Sequence, residues 1–440
     1  MQTNKSRCEI EKFVQIILNN KMAVRTIELS KLPCKVSNLP ISFESKRIEL
    51  PEWAKDLGVG ESAYIVIPEH CYCKSDIPGW ESVDWFRALF DMATCQMEYQ
   101  YEKMEKPIHS YASRLPETLA EQWDYAWVNR ILLFIQRWAA REGGKSEEEL
   151  FGEKSVGKIY LTHDVDYIDK TLALRFKQSA FSFFNIIKSL FNGNLEGVYK
   201  NLRNLFRFAL GSGNYWQFQK IVQMEATYGL TSTWNFYGGT GRFRRSFTEL
   251  IFDPSYHVND KRISNQIRQL KSEGHQIGLH QGFHSWRLTK RMRFEKSRIE
   301  ESLGETITTC RQHWLRFSFT DTWKAQEAAG FQLDTTLGFN ERPGFRNSSA
   351  LTLPAWIADE QRFSTSLNTL PMVLMDSHLF DYGQMDMPER QKTIDRVLDE
   401  IAFVGGEATV IWHQRVFHHD YNWGESYRYL LEGIQSRRLN

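Results

Sequence analysis

Thr162-His-Asp-Val-Asp166 carries two carboxylates separated by one residue. If the segment ends a strand, Asp164 and Asp166 project to one side while His163 and Val165 project to the other. Carboxylates held side by side are costly unless a cation lies between them or one keeps a proton. The bland alternative is a solvated strand end. A second concentration of chemistry is Gly278-Leu-His-Gln-Gly-Phe-His284. Histidines four apart share one face of a helical turn and can hold one metal ion, and a carboxylate with two imidazoles is a common zinc set that leaves a place for water. With 12 histidines in the chain the spacing alone is unspecific; its place directly after a predicted strand gives it weight. Trp412-His413 closes another predicted strand, a position suited to a general acid or base. Arg311, in Arg-Gln-His-Trp, could clamp a carboxylate bidentately.

These residues need strands to hold them. Short apolar runs at Lys158–Thr162, Thr231–Phe236, Gln276–Leu279, Arg311–Phe317, Phe331–Thr335, Pro371–Met375 and Thr409–Trp412 read as strands. Between them lie helical patterns such as Ile263, Ile267, Leu270 and Ile394, Val397, Leu398, Ile401. The alternation predicts about seven parallel strand–helix units, arranged as a barrel or an open sheet. In both, the C-terminal strand ends gather the chemistry on one face. A polar run, Arg141-Glu-Gly-Gly-Lys-Ser-Glu-Glu-Glu, reads as a linker. It sets off residues 1–150 as an accessory domain of mixed α/β pattern, with a strand at Tyr64–Ile67 and helices marked by Trp85, Phe86, Leu89 and by Leu119, Trp123, Trp127.

Composition narrows the class. The 440 residues are 42% hydrophobic and 25% charged, as expected of a globular protein rather than a disordered one. With 55 basic and 54 acidic side chains the net charge is +1, so no global attraction to nucleic acid is expected. Ile10, Phe13, Val14, Ile17 and Leu18 recur at helical spacing, interrupted by acidic Glu9 and Glu11, unlike a secretion signal. No run reaches the ~20 apolar residues of a membrane span. The six cysteines are irregularly spaced, which fits a reducing compartment, and a cytoplasmic protein is expected.

With these motifs in order, the chain resembles the polysaccharide deacetylases with a NodB-like domain, carbohydrate esterase family four, over roughly residues 156–420. Thr-His-Asp-Val-Asp looks like the family's first motif, and Glu273-Gly-His-Gln-Ile-Gly-Leu-His-Gln-Gly-Phe-His-Ser285 like its second. Arg311-Gln-His-Trp, Leu333-Asp-Thr-Thr-Leu-Gly-Phe339 and Val410-Ile-Trp-His413 look like the third, fourth and fifth. Two departures stand out: Asp-Val-Asp replaces adjacent aspartates, and the third motif lacks the usual proline.

The resemblance implies a distorted (β/α)7 barrel at 156–440, with a helical insertion at 167–213, preceded by the smaller mixed α/β domain. It implies Asp164 as catalytic base, His413 as catalytic acid and Arg311 orienting Asp164, with Asp334 fixing His413 or helping to hold the barrel rim. Asp166, His280 and His284 would hold Zn2+ or another divalent transition metal. The activity implied is removal of an acetyl group, N-acetyl rather than O-acetyl, from a sugar or lipid-linked glycan of surface polysaccharide synthesis. Another metal-dependent amide or ester hydrolase, or a silent glycan-binding or assembly protein, are the alternatives.

Beyond the motifs, Glu341-Arg-Pro-Gly-Phe-Arg346 is either a substrate loop, with Arg342 and Arg346 meeting an anionic group, or a Pro-Gly turn with solvated arginines. Trp314, with Phe283, Trp286 and Trp423, is a candidate for stacking on sugar. In the insertion, Phe176, Ala180, Phe183, Phe184, Ile187 and Leu190 form one amphipathic pattern. Val198, Leu202, Leu205, Phe206 and Ala209 form another, flanked by Lys200, Arg203 and Arg207. A basic helical pair over residues 176–209 is a solvated face, a peripheral contact with an anionic membrane or a hold on a phosphate-linked sugar substrate.

Overall fold

The computed structural model describes residues 32–73, 79–170, 172–191, 193–210, 214–239 and 245–440. The apolar pattern from Ile10 to Leu18 lies outside them. The strands among these residues are β1 (Ser45–Glu49), β2 (Tyr64–Pro68), β3 (Lys158–Val165), β4 (Ser232–Tyr237), β5 (Gln276–Gln281), β6 (Thr309–Gln312), β7 (Leu333–Asp334), β8 (Leu353–Ile357), β9 (Arg362–Thr369), β10 (Met372–Met375) and β11 (Glu407–Ile411). β1 and β2 pair alone. All seven strands expected after residue 156 are present. β6 is shorter than expected because the chain turns at His313, and β7 is only two residues long. β8 and β9 are additional.

The chain forms two compact units that do not divide at residues 150–156. The first takes residues 1–160 together with 314–410 and 433–440; the second takes 161–313 and 411–432. In the first unit, β1 and β2 form an antiparallel pair in which Ser45 faces Pro68. The helix Trp127–Glu142 buries Trp127, Ile131, Phe134 and Trp138, a 3.6-residue stripe, and Phe134 stacks on Trp53 at 5.4 Å. On the same helix, buried Arg130 forms a two-point ion pair with Glu400 at 2.5 and 2.9 Å. β7 and β9 run parallel, whereas β8 and β9 are antiparallel with a bulge between Pro354 and Trp356.

The second unit carries the strands that matter most for chemistry. From Leu161 onward β3 pairs parallel with β4, β4 with β5, and β5 with β6. Their apolar residues Leu161, Val165, Trp234, Phe236, Ile277 and Leu279 are buried. The crossover helix Lys261–Ser272 buries Ile263, Ile267 and Leu270 at helical spacing. Between β3 and β4 the chain makes a hairpin of two helices, Leu172–Phe191 and Leu195–Leu210. Gly193, with φ +66°, supplies the left-handed turn, and the Asn194 side chain accepts from the Gly197 N–H at 2.8 Å to start the second helix. The base of the hairpin is closed by an antiparallel bridge of Asp169 with Asn214, and by the Tyr215 N–H donating to the Ile168 carbonyl at 2.7 Å.

Candidate metal centre and its surroundings

Strand alternation positions the first group. His163 and Asp164 leave β3 in opposite directions. His163 is fully buried, with Nδ1 2.5 Å from the Trp412 carbonyl and Nε2 2.7 Å from Glu225 Oε1. Asp164 instead accepts from Asn235 Nδ2 at 2.8 Å and from Arg311 Nη1 at 3.1 Å. The register explains these contacts: Asp164 lies beside Asn235, Asn235 beside Gly278, and His280 beside Arg311. Gly278 has a packing reason, because a Cβ there would lie 2.3 Å from Asn235 Oδ1. Arg311, completely buried, also donates to Thr162 Oγ1 at 2.6 Å, so its guanidinium ties two residues of β3 to β6.

Asp166, one residue past the end of β3, is the hub. Its Oδ1 is 3.2 Å from His280 Nε2 and 3.5 Å from His313 Nε2. Its Oδ2 pairs with Arg415 Nη1 and lies 3.5 Å from His413 Nε2. Burial alone would raise the pKa of Asp166, but Arg415, His280, His413 and His313 outweigh it and hold the carboxyl well below the usual range. Burial likewise opposes ionisation of Asp164, and Arg311, His280, His413 and Asn235 overcome it. At His280, burial disfavours the charged ring and the two aspartates more than reverse that, raising its pKa. His313 is pulled the other way: burial dominates and its pKa falls despite Asp253.

Among the described residues, Asp166, His280 and His313 form a buried group whose candidate ligand atoms all lie within 4.8 Å of one another. Oδ1 of Asp166 is buried and faces the ring nitrogens His280 Nε2 at 3.2 Å and His313 Nε2 at 3.5 Å, an arrangement of three potential ligand atoms converging on one point. The donor set, one carboxylate and two imidazoles, fits zinc or a similar divalent metal. A second layer supports it. Asp253 Oδ1 is 3.1 Å from His313 Nδ1 and accepts from the Phe283 N–H at 2.7 Å, which leaves Nε2 of His313 turned toward Asp166.

His284 is not in this group. It lies past the end of β5, at the entry to the 3-10 turn Ser285–Arg287, and its Nε2 pairs with Thr248 Oγ1 at 2.7 Å. The helical four-residue spacing does not apply, because His280 sits on a strand. His313 comes instead from the residue after β6, two beyond Arg311, where continued alternation returns the side chain to the same face. That signal was present in Arg-Gln-His-Trp. Asp253, Asn235 and Arg415 were likewise not expected.

The remaining expected site residues belong to the first unit. Asp334 is completely buried and accepts from Trp323 Nε1 at 3.0 Å, Gln326 Nε2 at 2.9 Å and Thr336 Oγ1 at 2.5 Å. Burial raises its pKa despite these donors. It organises its own turn. Arg346, which the sequence left between a substrate loop and a solvated turn, forms an internal ion pair. Its guanidinium is buried and donates to Glu98 at 2.9 and 3.0 Å, to Ser110 Oγ at 2.8 Å and to the carbonyls of His109 and Gly338. Arg342 is half-buried and pairs with Asp124 at 2.5 Å. Trp314 is half-buried with a left-handed backbone at φ 57°, a conformation that favours glycine and is rare for an aromatic residue.

Two other groups of potential ligands exist among the described residues: His70, Cys71, Asp91 and His418, His419, Asp420. His70 is already satisfied, with Nε2 2.9 Å from Asp91 and Nδ1 accepting from the Ser42 N–H at 3.2 Å. Asp420 accepts from Lys170 Nζ at 2.7 Å and from the Tyr215 hydroxyl at 3.0 Å. Both have the partners of internal polar networks.

No protein-family model and no curated protein matches the chain. Among solved structures it is similar to a candidate polysaccharide deacetylase from Mycobacterium smegmatis, at 14% identity and a TM-score of 0.38, over 65% of this chain and 86% of that one. It is similar to a polysaccharide deacetylase from Bacillus cereus at 10% identity and a TM-score of 0.30, over 64% and 89%. A CE4 family pseudoenzyme from Bacillus anthracis is similar at 10% identity and a TM-score of 0.28, over 67% of each chain.

Proposed function

We propose that the protein is a metal-dependent hydrolase that removes an acetyl group from a sugar, an N-acetyl group in preference to an O-acetyl group. The observation that carries this is the buried Oδ1 of Asp166 facing the two imidazoles of His280 and His313, beside a second carboxylate, Asp164, held ionised by Arg311. A divalent ion held by Asp166, His280 and His313 would lower the pKa of water toward ~7 and polarise the acetyl carbonyl.

The chain's own residues supply the proton transfers. Asp164 takes a proton from the attacking water as its oxygen bonds to the acetyl carbon. His413 gives a proton to the departing sugar nitrogen as the C–N bond breaks, releasing acetate and the free amine. Arg311 and Asn235 hold Asp164 in place, and Arg415 occupies the Asp166 oxygen turned away from the two imidazoles. A precursor or lipid-linked glycan of surface polysaccharide synthesis is the favoured substrate class.

The test is acetate release from a panel of acetylated sugars by protein of measured zinc content. Wild type should bind about one zinc per chain and release acetate. Asp164→Asn should keep the metal and lose turnover by a factor of about 10² to 10⁴. Stoichiometric metal with no acetate from any N- or O-acetyl sugar would instead favour a different amide or ester hydrolase, and absence of metal would remove the catalytic reading.

A further inference from the structure

The helical hairpin after β3 breaks the usual pattern of a surface helix. Both of its helices are amphipathic, yet a row of large apolar residues on each is open to solvent. Phe183, Phe184, Leu190 and Phe191 on the first helix and Leu195 and Tyr199 on the second are exposed. The two residues flanking the turn are the most open, Phe191 at 88% and Leu195 at 76%. Single exposed apolar residues need no explanation; a stripe along two consecutive helices that converges on a tip does.

The charge of the same segment is equally uneven. Between Leu172 and Leu210 the sequence holds Arg175, Lys177, Lys188, Lys200, Arg203 and Arg207 against the single acid Glu196. The whole chain, by contrast, has a net charge of only +1. Aromatic and aliphatic residues at a tip, with basic residues along the shaft, match an anionic lipid surface: the rings enter the acyl boundary while the cations meet headgroup phosphates. A second copy of this chain fits less well. Apposing two such hairpins would bring two strongly basic segments together, and a side-by-side helical bundle would leave Phe191 and Leu195 at its end still exposed.

We infer that this hairpin docks the protein peripherally on an anionic membrane, with Phe191 and Leu195 as the inserted tip. No helix among the described residues is long and apolar enough to cross a membrane. The inference stands independently of the hydrolase reading, since it uses none of the residues around Asp166.

Flotation of the full chain with vesicles decides it. Vesicles of phosphatidylcholine containing about one-third phosphatidylserine should carry the wild type upward, and pure phosphatidylcholine should carry at least about tenfold less. Phe191→Asp combined with Leu195→Asp should reduce binding at least about tenfold while leaving the circular dichroism spectrum unchanged, because both sites are open to solvent. Arg203→Glu should weaken binding to the anionic vesicles. No flotation of the wild type, or undiminished flotation of the Phe191/Leu195 double variant, overturns the inference. So does a wild-type dimer that this double variant converts to monomer, which would assign the stripe to a second copy.

Discussion

Asp253 meets the candidate metal centre through His313, its Oδ1 lying 3.1 Å from His313 Nδ1. With Nδ1 donating to Asp253, Nε2 is left with its lone pair toward Asp166. Asp253→Asn replaces that charged acceptor with an amide. Zinc affinity, measured by competition with a chelator, should fall about 10- to 100-fold, with the fold retained.

His313 and His284 can be separated directly. His313→Ala should abolish stoichiometric zinc, whereas His284→Ala should leave it nearly intact, since His284 is engaged with Thr248. Metal analysis of the two purified variants reads the difference. Loss of zinc in His284→Ala alone would restore the four-residue histidine pair as the ligand set and remove His313 from it.

Arg346 offers a test of stability against substrate binding. Removing it leaves Glu98 buried without its partner, a type of change that costs about 3–5 kcal/mol. Arg346→Met should therefore lower the melting temperature markedly, and Arg346→Met with Glu98→Met should recover much of the loss. The KM of the double variant for an acetylated sugar should match the wild type.

Glu295 gives the second unit a pH-dependent stability. The side chain is buried, accepting from Ser285 Oγ at 2.6 Å and from the Gly282 N–H at 3.1 Å, and burial pushes its pKa up to about 8. In the unfolded chain it returns to about 4.3, so between these values the folded state holds the extra proton and stability declines as pH rises. The decline approaches about 1 kcal/mol per pH unit. Glu295→Gln keeps a neutral group at all pH, and its melting temperature should fall less than that of the wild type between about pH 5 and pH 8.

The strands were largely legible because their apolar residues are local and contiguous: β3, β4, β5, β10 and β11 all coincide with short runs bounded by turn signals. β9 was not, since Arg362–Thr369 is mostly polar and is defined by its pairing with β7 and β8. The side of β3 to which Asp164 belongs follows from alternation alone. Alternation along the expected strand Arg311–Phe317 also puts His313 on the face of Arg311, but the four-residue histidine spacing drew the ligand set to His284 instead. Asp253 left no local trace. It ends a six-residue helix and meets His313 across 60 positions of sequence, and nothing in Phe252-Asp-Pro-Ser255 encodes that partner. Arg415 belongs to a short 3-10 turn after β11, where a charged residue is ordinarily solvated.

The bridge between Asp169 and Asn214 brings the two ends of the hairpin insertion side by side, so the path from β3 to β4 is already closed without it. In modular terms the hairpin is a cassette. Exchanging residues 171–213 for a short flexible linker should cost little beyond loop-closure entropy, which changes slowly with length. A chain so shortened should fold and retain its metal ligands while losing whatever the hairpin grips, so that attachment and chemistry could have been acquired, or exchanged, separately.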